Sequence, residues 1–224
     1  DHDPQRGDLF PAAVPYFLVT QGSSGSDRPM LRALAMALAA LKPDTKQVLQ
    51  ENGLVAPALQ MLIRRSMPGI ESDEDYLSGR AHPSVFEATT VDLERLLVQA
   101  AALPADGVPP AVRLHVRAVP ETIGQIFGDG LDEQLFDTPC AIARLARGTA
   151  QMRRYRVSTA GTTDAAGRPL RFHWRVLRGP DVRVTPLDDA GTQAIIKVPW
   201  TEAYPVPGQT DLVTRRINGG VIAA

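Results

Sequence analysis

A loop rich in glycine and serine, Gln21–Asp27, separates an apolar run from a segment with helical periodicity. Backbone N–H groups at the start of a helix favour anions, so this loop is a candidate anion cradle. Its anion-binding candidates are Gly22, Ser23, Gly25 and Asp27. The loop lacks the lysine and spacing of a phosphate-binding P-loop, and it is one residue shorter than a nucleophile elbow. We therefore expect it mainly to turn the chain.

A serine of this loop could act as a nucleophile only beside a base. His82 is the best placed histidine, because it lies in a loop before a proline, whereas His115 and His173 alternate with apolar residues on predicted strands. The catalytic candidates of a serine-type hydrolase of esters or glycans are Ser24, Ser26 and His82. A structural hydrogen bond is the alternative role for His82, since no spacing requires the two loops to meet.

The sequence contains no spacing of histidines or cysteines that is typical of a metal site. The acidic run Glu71–Asp75 lacks the twelve-residue pattern of a calcium loop and is typical of a solvated helix start. Cys140 stands alone, which excludes an intrachain disulfide, and we expect it to be a small buried side chain. We predict no metal and no cofactor.

Charge is unevenly distributed along the 224 residues, whose net charge is −1. Residues 1–150 hold 13 Lys/Arg and 19 Asp/Glu, a net −6, and residues 151–224 hold 11 and 6, a net +5. The basic part predicts either an anionic partner or docking against the acidic half. No apolar stretch is long enough for a membrane span.

The N-terminal part is predicted to be mainly helical. Apolar residues recur at helical spacing after the loop, with Ser26 or Asp27 as the cap of the first helix. Further helices are expected over residues 45–51, from Pro57, over residues 71–77, and over residues 91–103 behind Thr89 or Thr90. Residues 120–139 are expected to be irregular, with one helical turn at Leu131–Leu135.

Strand patterns dominate the C-terminal part. A first strand is expected over residues 112–117, and six more follow from Cys140 onward at spacings typical of an antiparallel sandwich. The six are Ala141–Ala146, Arg153–Ala160, Leu170–Leu177, Val182–Thr185, Gln193–Val198 and Val213–Ala224. In the third, aromatic and basic side chains alternate onto opposite faces, so bases could not use both, and we do not expect a nucleic-acid partner.

Residues 160–179, AGTTDAAGRPLRFHWRVLRG, resemble the central hairpin of polycystic-kidney-disease (PKD) type immunoglobulin-like domains. The matching positions are Asp164 and Gly167 in the turn and Leu170, Phe172 and Trp174 in the strand. Ala166 stands where the family favours a second Asp, which argues against calcium. The resemblance covers about the last third of the chain. It implies a non-catalytic extracellular or periplasmic module that spaces, adheres or binds glycans.

These observations predict an α+β chain, with a helical N-terminal region followed by an antiparallel immunoglobulin-like β-sandwich. The expected domains are residues 1–139, mainly helical with a short β element, and residues 140–224, the sandwich. Because the chain begins at Asp1 and ends on an apolar run, we expect a piece of a longer protein. The expected function is a binding or scaffolding segment of an exported or surface protein, periplasmic or extracellular, that contacts a glycan or a protein. The alternative is the serine-type hydrolase.

Overall fold

The computed structural model describes residues 2–3, 7–8, 10–12, 18–20, 22–83, 85–86, 91–117, 121–124, 131–138, 141–206 and 209–223. They form helices and antiparallel strands, so the predicted α+β class is confirmed. The chain divides into two compact units, residues 1–111 with 163–169 and residues 112–162 with 170–224. This division differs from the boundary expected after residue 139, because residues 112–138 contribute strands to the second unit.

Helices lie in the first unit, and their bounds differ from the predicted ones by a few residues. They are α1 Arg28–Ala40, α2 Pro43–Glu51, α3 Val55–Ser66, α4 Asp73–Tyr76 and α5 Leu93–Ala102. Asp27 occupies the cap of α1 but makes no side-chain cap hydrogen bond, contrary to the prediction. Asp92 caps α5 by accepting a hydrogen bond from Arg95 N. Thr89 and Thr90 lie outside the described residues.

The first unit packs around one apolar core. Met30 and Ala37 of α1, Leu62 of α3 and Leu96 of α5 are buried in it, as periodicity predicts. The short strands β1 His2–Asp3 and β2 Gly7–Asp8 pair with each other, as do β3 Phe10–Pro11 and β4 Val85–Phe86. No helix in the described part of the chain combines the length and apolarity needed to cross a bilayer.

The second unit is built from antiparallel strands. They are β5 His115–Val116, β6 Glu121–Ile123, β7 Leu131–Thr138, β8 Ala141–Arg147, β9 Met152–Ser158, β10 Phe172–Arg178, β11 Arg183–Pro186, β12 Gln193–Pro199, β13 Tyr204–Val206, β14 Gln209–Thr214 and β15 Asn218–Ala223. The central sheet has the order β11-β12-β9-β5, and β6 also pairs with β9. Two-stranded sheets join β7 to β8, β10 to β15 and β13 to β14.

Two predictions for this unit are wrong. The helical turn expected at Leu131–Leu135 is part of β7, because this segment pairs along its length with β8. The single last strand expected over Val213–Ala224 is two strands, β14 and β15, with different partners.

Trp174 joins the β10–β15 ribbon to the central sheet. Its indole is 8% exposed and belongs to one apolar cluster with Val157 and Ala194. The indole Nε1 donates a hydrogen bond of 2.8 Å to the carbonyl oxygen of Gly191. A Cβ on residue 191, where φ is +71°, would lie 2.3 Å from the Phe172 carbonyl oxygen, so only glycine fits there.

Alternation along the strand that contains Trp174 predicts that Leu170, Phe172, Trp174 and Val176 all face the core. The burial of Trp174 is confirmed, whereas the other three side chains are half-buried.

The turn at Asp164–Gly167 also forms, with Asp164 Oδ1 accepting from the backbone N–H groups of Ala166 and Arg168. The strands on either side of it do not form the hairpin that the PKD resemblance implies. Within the described residues, β9 pairs with β12, β5 and β6, whereas β10 pairs with β15. The connection is therefore a crossing between sheets.

Strand alternation divides the side chains of the central sheet between two faces. We call the face that packs with Trp174 the inner face. Its members are Leu114, Val116, Tyr155, Val157, Val184, Ala194 and Ile196. The opposite, outer face carries the alternate residues of the same strands. Its polar members include His115, Arg117, Arg154, Arg156, Ser158, Arg183, Thr185, Gln193 and Lys197.

Replacing Trp174 tests this packing. We expect Trp174→Ala to lower the free energy of unfolding of the second unit by about 3–5 kcal/mol, because it leaves a cavity. Trp174→Phe removes the indole donor but keeps a ring, and we expect a loss of about 1–3 kcal/mol. Denaturant unfolding measures both. The control Trp200→Phe alters a ring that is 57% exposed and should change little. Equal losses at both tryptophans would contradict the packing.

Candidate functional site

The glycine and serine loop does hold an anion, and that anion is the carboxylate of Asp8. Asp8 Oδ1 accepts hydrogen bonds from the N–H and hydroxyl of Ser23, at 3.1 and 2.8 Å. Its Oδ2 accepts from the N–H and hydroxyl of Ser24, both at 2.8 Å, and from Gly25 N at 3.0 Å. Asp8 is only 6% exposed. Of the residues expected to bind an external anion, Ser23 and Gly25 therefore donate their backbone N–H groups to a carboxylate of the chain itself.

The hydroxyl groups of Ser24 and Ser26 are also engaged. Ser26 Oγ accepts from Asp8 N at 2.7 Å and lies 2.7 Å from Ser24 Oγ. Since Ser24 donates its proton to Asp8, Ser26 donates to Ser24. Gly7 permits this contact, because a Cβ at residue 7 would lie 2.2 Å from Ser26 Oγ. The bonds hold the N-terminal strand β2 against the start of α1.

His82 lies in a separate network. Its Nε2 is 2.8 Å from the carbonyl oxygen of Tyr76, so Nε2 carries the proton, and its ring meets the Tyr76 ring edge-on at 5.4 Å. Burial, followed by the charge of Arg64, lowers the pKa of His82 to about 4. At neutral pH this histidine is uncharged and bonded to backbone. Its described hydrogen bond thus goes to Tyr76 rather than to the hydroxyl of Ser24 or Ser26.

Arg64 supplies the positive charge that acts on His82. The guanidinium is buried and donates to the carbonyl oxygens of Ala81 and Ala12, both at 2.8 Å, and to Gln60 Oε1 at 3.2 Å. It also lies over the Phe86 ring at 4.8 Å. Burial lowers its pKa to about 10, so it remains charged at neutral pH. A buried cation satisfied by carbonyls and a ring holds the chain around residues 81–86 to α3.

Residues of the acidic run Glu71–Asp75 cap a helix. Ser72 and Asp75 form a capping box for α4, and Asp75 also pairs with Arg80. The hydrogen bonds from Ser72 and Glu71 hold the pKa of Asp75 below its usual value. Among the residues described, no three His, Cys, Asp or Glu side chains are grouped to hold a metal ion. Cys140 lies outside the described residues.

The outer face of the central sheet carries a different kind of site. A cleft of about 560 Å³, the first cleft, opens at one end of this face. Its lining includes Arg117, Arg156, Ser158, Thr162, Phe172 and Gln193, and none of the described residues that line it is acidic. Both arginines are exposed. Two guanidinium groups in a cleft without a carboxylate favour an anionic ligand.

Local hydrogen bonds fix the walls of the first cleft. Arg156 donates from Nε and a terminal nitrogen to Gln193 Oε1, at 3.3 and 3.0 Å, which orients the guanidinium. Ser158 Oγ accepts from Ala160 N at 3.1 Å, and Thr162 Oγ1 donates to Thr159 O at 2.6 Å. Because these contacts lie within the second unit's own turn and strands, the cleft has a defined shape before any ligand arrives.

A second cleft of about 430 Å³ lies on the same outer face. Its lining contains Arg183, Lys197 and Arg154, with Asp181 beside them. Arg183 is directly opposite Lys197 in the strand register, and Lys197 is directly opposite Arg154. We call these three residues the cation row. Their strands are about 4.8 Å apart, so three like charges stand side by side.

The sequence patterns predict the serine loop as a candidate site, but they do not predict these two clefts. The many arginines after residue 150 are the sequence feature that points to a basic surface in this part of the chain. The register that aligns Arg183, Lys197 and Arg154 depends on pairings between residues that are distant along the chain, which composition does not specify.

Comparison of the chain with protein-family models, curated proteins and solved structures finds no match.

Asp8→Asn tests the serine loop. The amide cannot accept from all five donors, so we expect the free energy of unfolding of the first unit to fall by about 1–3 kcal/mol. Denaturant unfolding followed by helical circular dichroism measures it. The matched control is Asp73→Asn, which removes one exposed pair with Arg65 and should cost less than about 1 kcal/mol. Equal costs for the two variants would show that the Asp8 bonds do not stabilise the unit.

His82 gives the first unit a pH-dependent stability. Its folded pKa of about 4 lies below the unfolded value of 6.5, so protons bind the unfolded chain more tightly. The stability is complete above about pH 6.5 and is lost as pH falls towards 4. We expect a loss of at most about 2 kcal/mol by about pH 5 that His82→Gln does not show. Denaturant unfolding of both proteins at each pH measures it, and identical pH profiles would contradict the assignment.

Proposed function

We propose that this chain is a non-catalytic binding module of a larger exported or surface protein, and that its outer face binds an acidic glycan. The observation that carries the proposal is the first cleft, where Arg117 and Arg156 lie together and no described lining residue is acidic. A sugar carboxylate or sulfate would accept hydrogen bonds from both guanidinium groups. Gln193 and Phe172 supply an amide and an apolar surface to the same ligand.

The PKD-type immunoglobulin-like resemblance supports this proposal through Trp174 and the turn, although the described strands on either side of the turn do not pair with each other. Trp174 is buried between the β10–β15 ribbon and the central sheet, which is the role that the resemblance assigns to it. The adjacent turn has Asp164 and Gly167 at its matching positions. In an immunoglobulin-like sandwich the two inner faces form the core, and the outer faces remain available for ligands. Export to the periplasm or the cell exterior, where such modules contact glycans, is part of the proposal.

The serine loop gives no support to catalysis. The Ser24 hydroxyl donates to the Asp8 carboxylate, and His82 is bonded to Tyr76. Activation of a serine needs a base positioned to take its proton and water access to the substrate. The loop instead supports a structural role, since its donors bind one buried carboxylate of the chain.

Binding of the intact chain to trigalacturonate and to maltotriose tests the function. These trisaccharides have the same length, but only the first carries carboxylates. We expect calorimetry to detect the acidic sugar alone, with affinity that falls as salt rises. Incubation with either sugar should release no new reducing ends.

Variants connect this binding to the first cleft. Arg117→Gln/Arg156→Gln should weaken trigalacturonate binding about tenfold or more. The matched control Arg32→Gln/Lys42→Gln makes the same charge change at two exposed positions of the first unit and should bind like the parent. Equal loss in both variants, equal binding of the neutral sugar, or sugar cleavage would contradict the proposed function.

A further inference from the structure

The cation row shares the outer face with the first cleft. Arg154 and Arg156 are two residues apart on β9, so their side chains leave the same face about 7 Å from each other. The path runs from Arg117 through these two residues to Lys197 and Arg183. Positive charge thus continues along the sheet beyond the first cleft.

The cation row lowers the stability of the sheet when no anion is bound to it. Like charges directly opposite each other on neighbouring strands destabilise a sheet. Arg183 is exposed, and Lys197 and Arg154 are half-buried, so water screens them only in part. Asp181 lines the second cleft, and Glu121 of β6 is in register with Arg154. The repulsion that remains in the row is therefore the one between Arg183 and Lys197, which stand directly opposite each other. An anion lying across the row would remove the repulsion.

We infer that the ligand is a linear acidic polysaccharide, long enough for one acid group to bind Arg117 and Arg156 while others bind the cation row. This inference rests on the proposed function and names its substrate class. A single acidic sugar would contact either the first cleft or the cation row, but not both. A chain with acid groups at regular intervals would neutralise both ends at the entropic cost of one association.

The groups on this face favour a polysaccharide over a nucleic acid. Single-stranded nucleic acids need aromatic rings on which successive bases stack. The outward positions of β9, β11 and β12 carry arginine, lysine, glutamine, hydroxyl and aliphatic side chains, and Phe172 lies only at the first cleft. Trp200 follows the end of β12, and the Arg215 guanidinium lies 5.7 Å from its ring centre. Hydrogen-bonding groups between cations suit the hydroxyl and acid groups of sugars.

The test compares a digalacturonate with a dodecagalacturonate on the intact chain. We expect the long oligomer to bind at least about tenfold more tightly than the short one. Arg183→Gln/Lys197→Gln should remove that gain while leaving the digalacturonate affinity within about twofold. The same variant should be at least as stable to heat as the parent, since repulsion in the row is relieved. A single-stranded oligonucleotide of equal charge should bind more weakly than the dodecamer.

The outcomes separate this inference from the proposed function. If the row variant keeps the length effect while Arg117→Gln/Arg156→Gln abolishes binding, the polysaccharide inference is overturned and the proposed function stands. If neither double variant changes any affinity, both are overturned. If the oligonucleotide binds as tightly as the dodecamer, the choice of polysaccharide is overturned. A row variant that unfolds at a lower temperature than the parent overturns the premise that the row is repulsive. Arg183→Gln alone, at an exposed side chain, then tests the length effect by the same affinity criterion.

Discussion

The hydrogen bond from the buried Trp174 indole to Gly191 holds two parts of the second unit in place. A further bond of 2.7 Å, from Phe172 N to Ala190 O, fastens the same turn to the start of β10. The absence of a side chain at Gly191 lets the two backbones approach. Because side chains alternate along a strand, this anchoring decides which residues of β12 and β9 face the core. A slip of one residue would bring Arg154 and Lys197 inside.

The chemistry of the outer face follows from that constraint. Burying unpaired guanidinium or ammonium groups is costly, so a core that contains Val157 and Ala194 directs their charged neighbours to water. Pairing of three strands then aligns the cations. Asp8 and Arg64 of the first unit are buried and hydrogen-bonded, and buried Arg153 of the second unit donates to the Arg147 carbonyl oxygen. These buried charged groups stabilise the fold, whereas Arg117 and Arg183 of the outer face are exposed and Lys197 is half-buried.

Local patterns in the sequence predicted much of the fold. Helical spacing located α1, α3 and α5, and alternation around Trp174 identified its buried face. The segment 131–138 was misjudged because pairing with β8 overrides its weak local preference. The Asp8 bonds could not be foreseen, since they join the serine loop to a strand about 15 residues earlier. The cation row likewise depends on strand register, which no single segment encodes.

The most direct measurement of the central contact is hydrogen exchange of the two indole N–H groups by nuclear magnetic resonance. The indole proton of Trp174 should exchange only when the second unit unfolds, because it is buried and donates to Gly191. The indole of Trp200, which is 57% exposed, should exchange rapidly under the same conditions. Equally rapid exchange at both rings would contradict the burial of Trp174 and, with it, the assignment of the outer face.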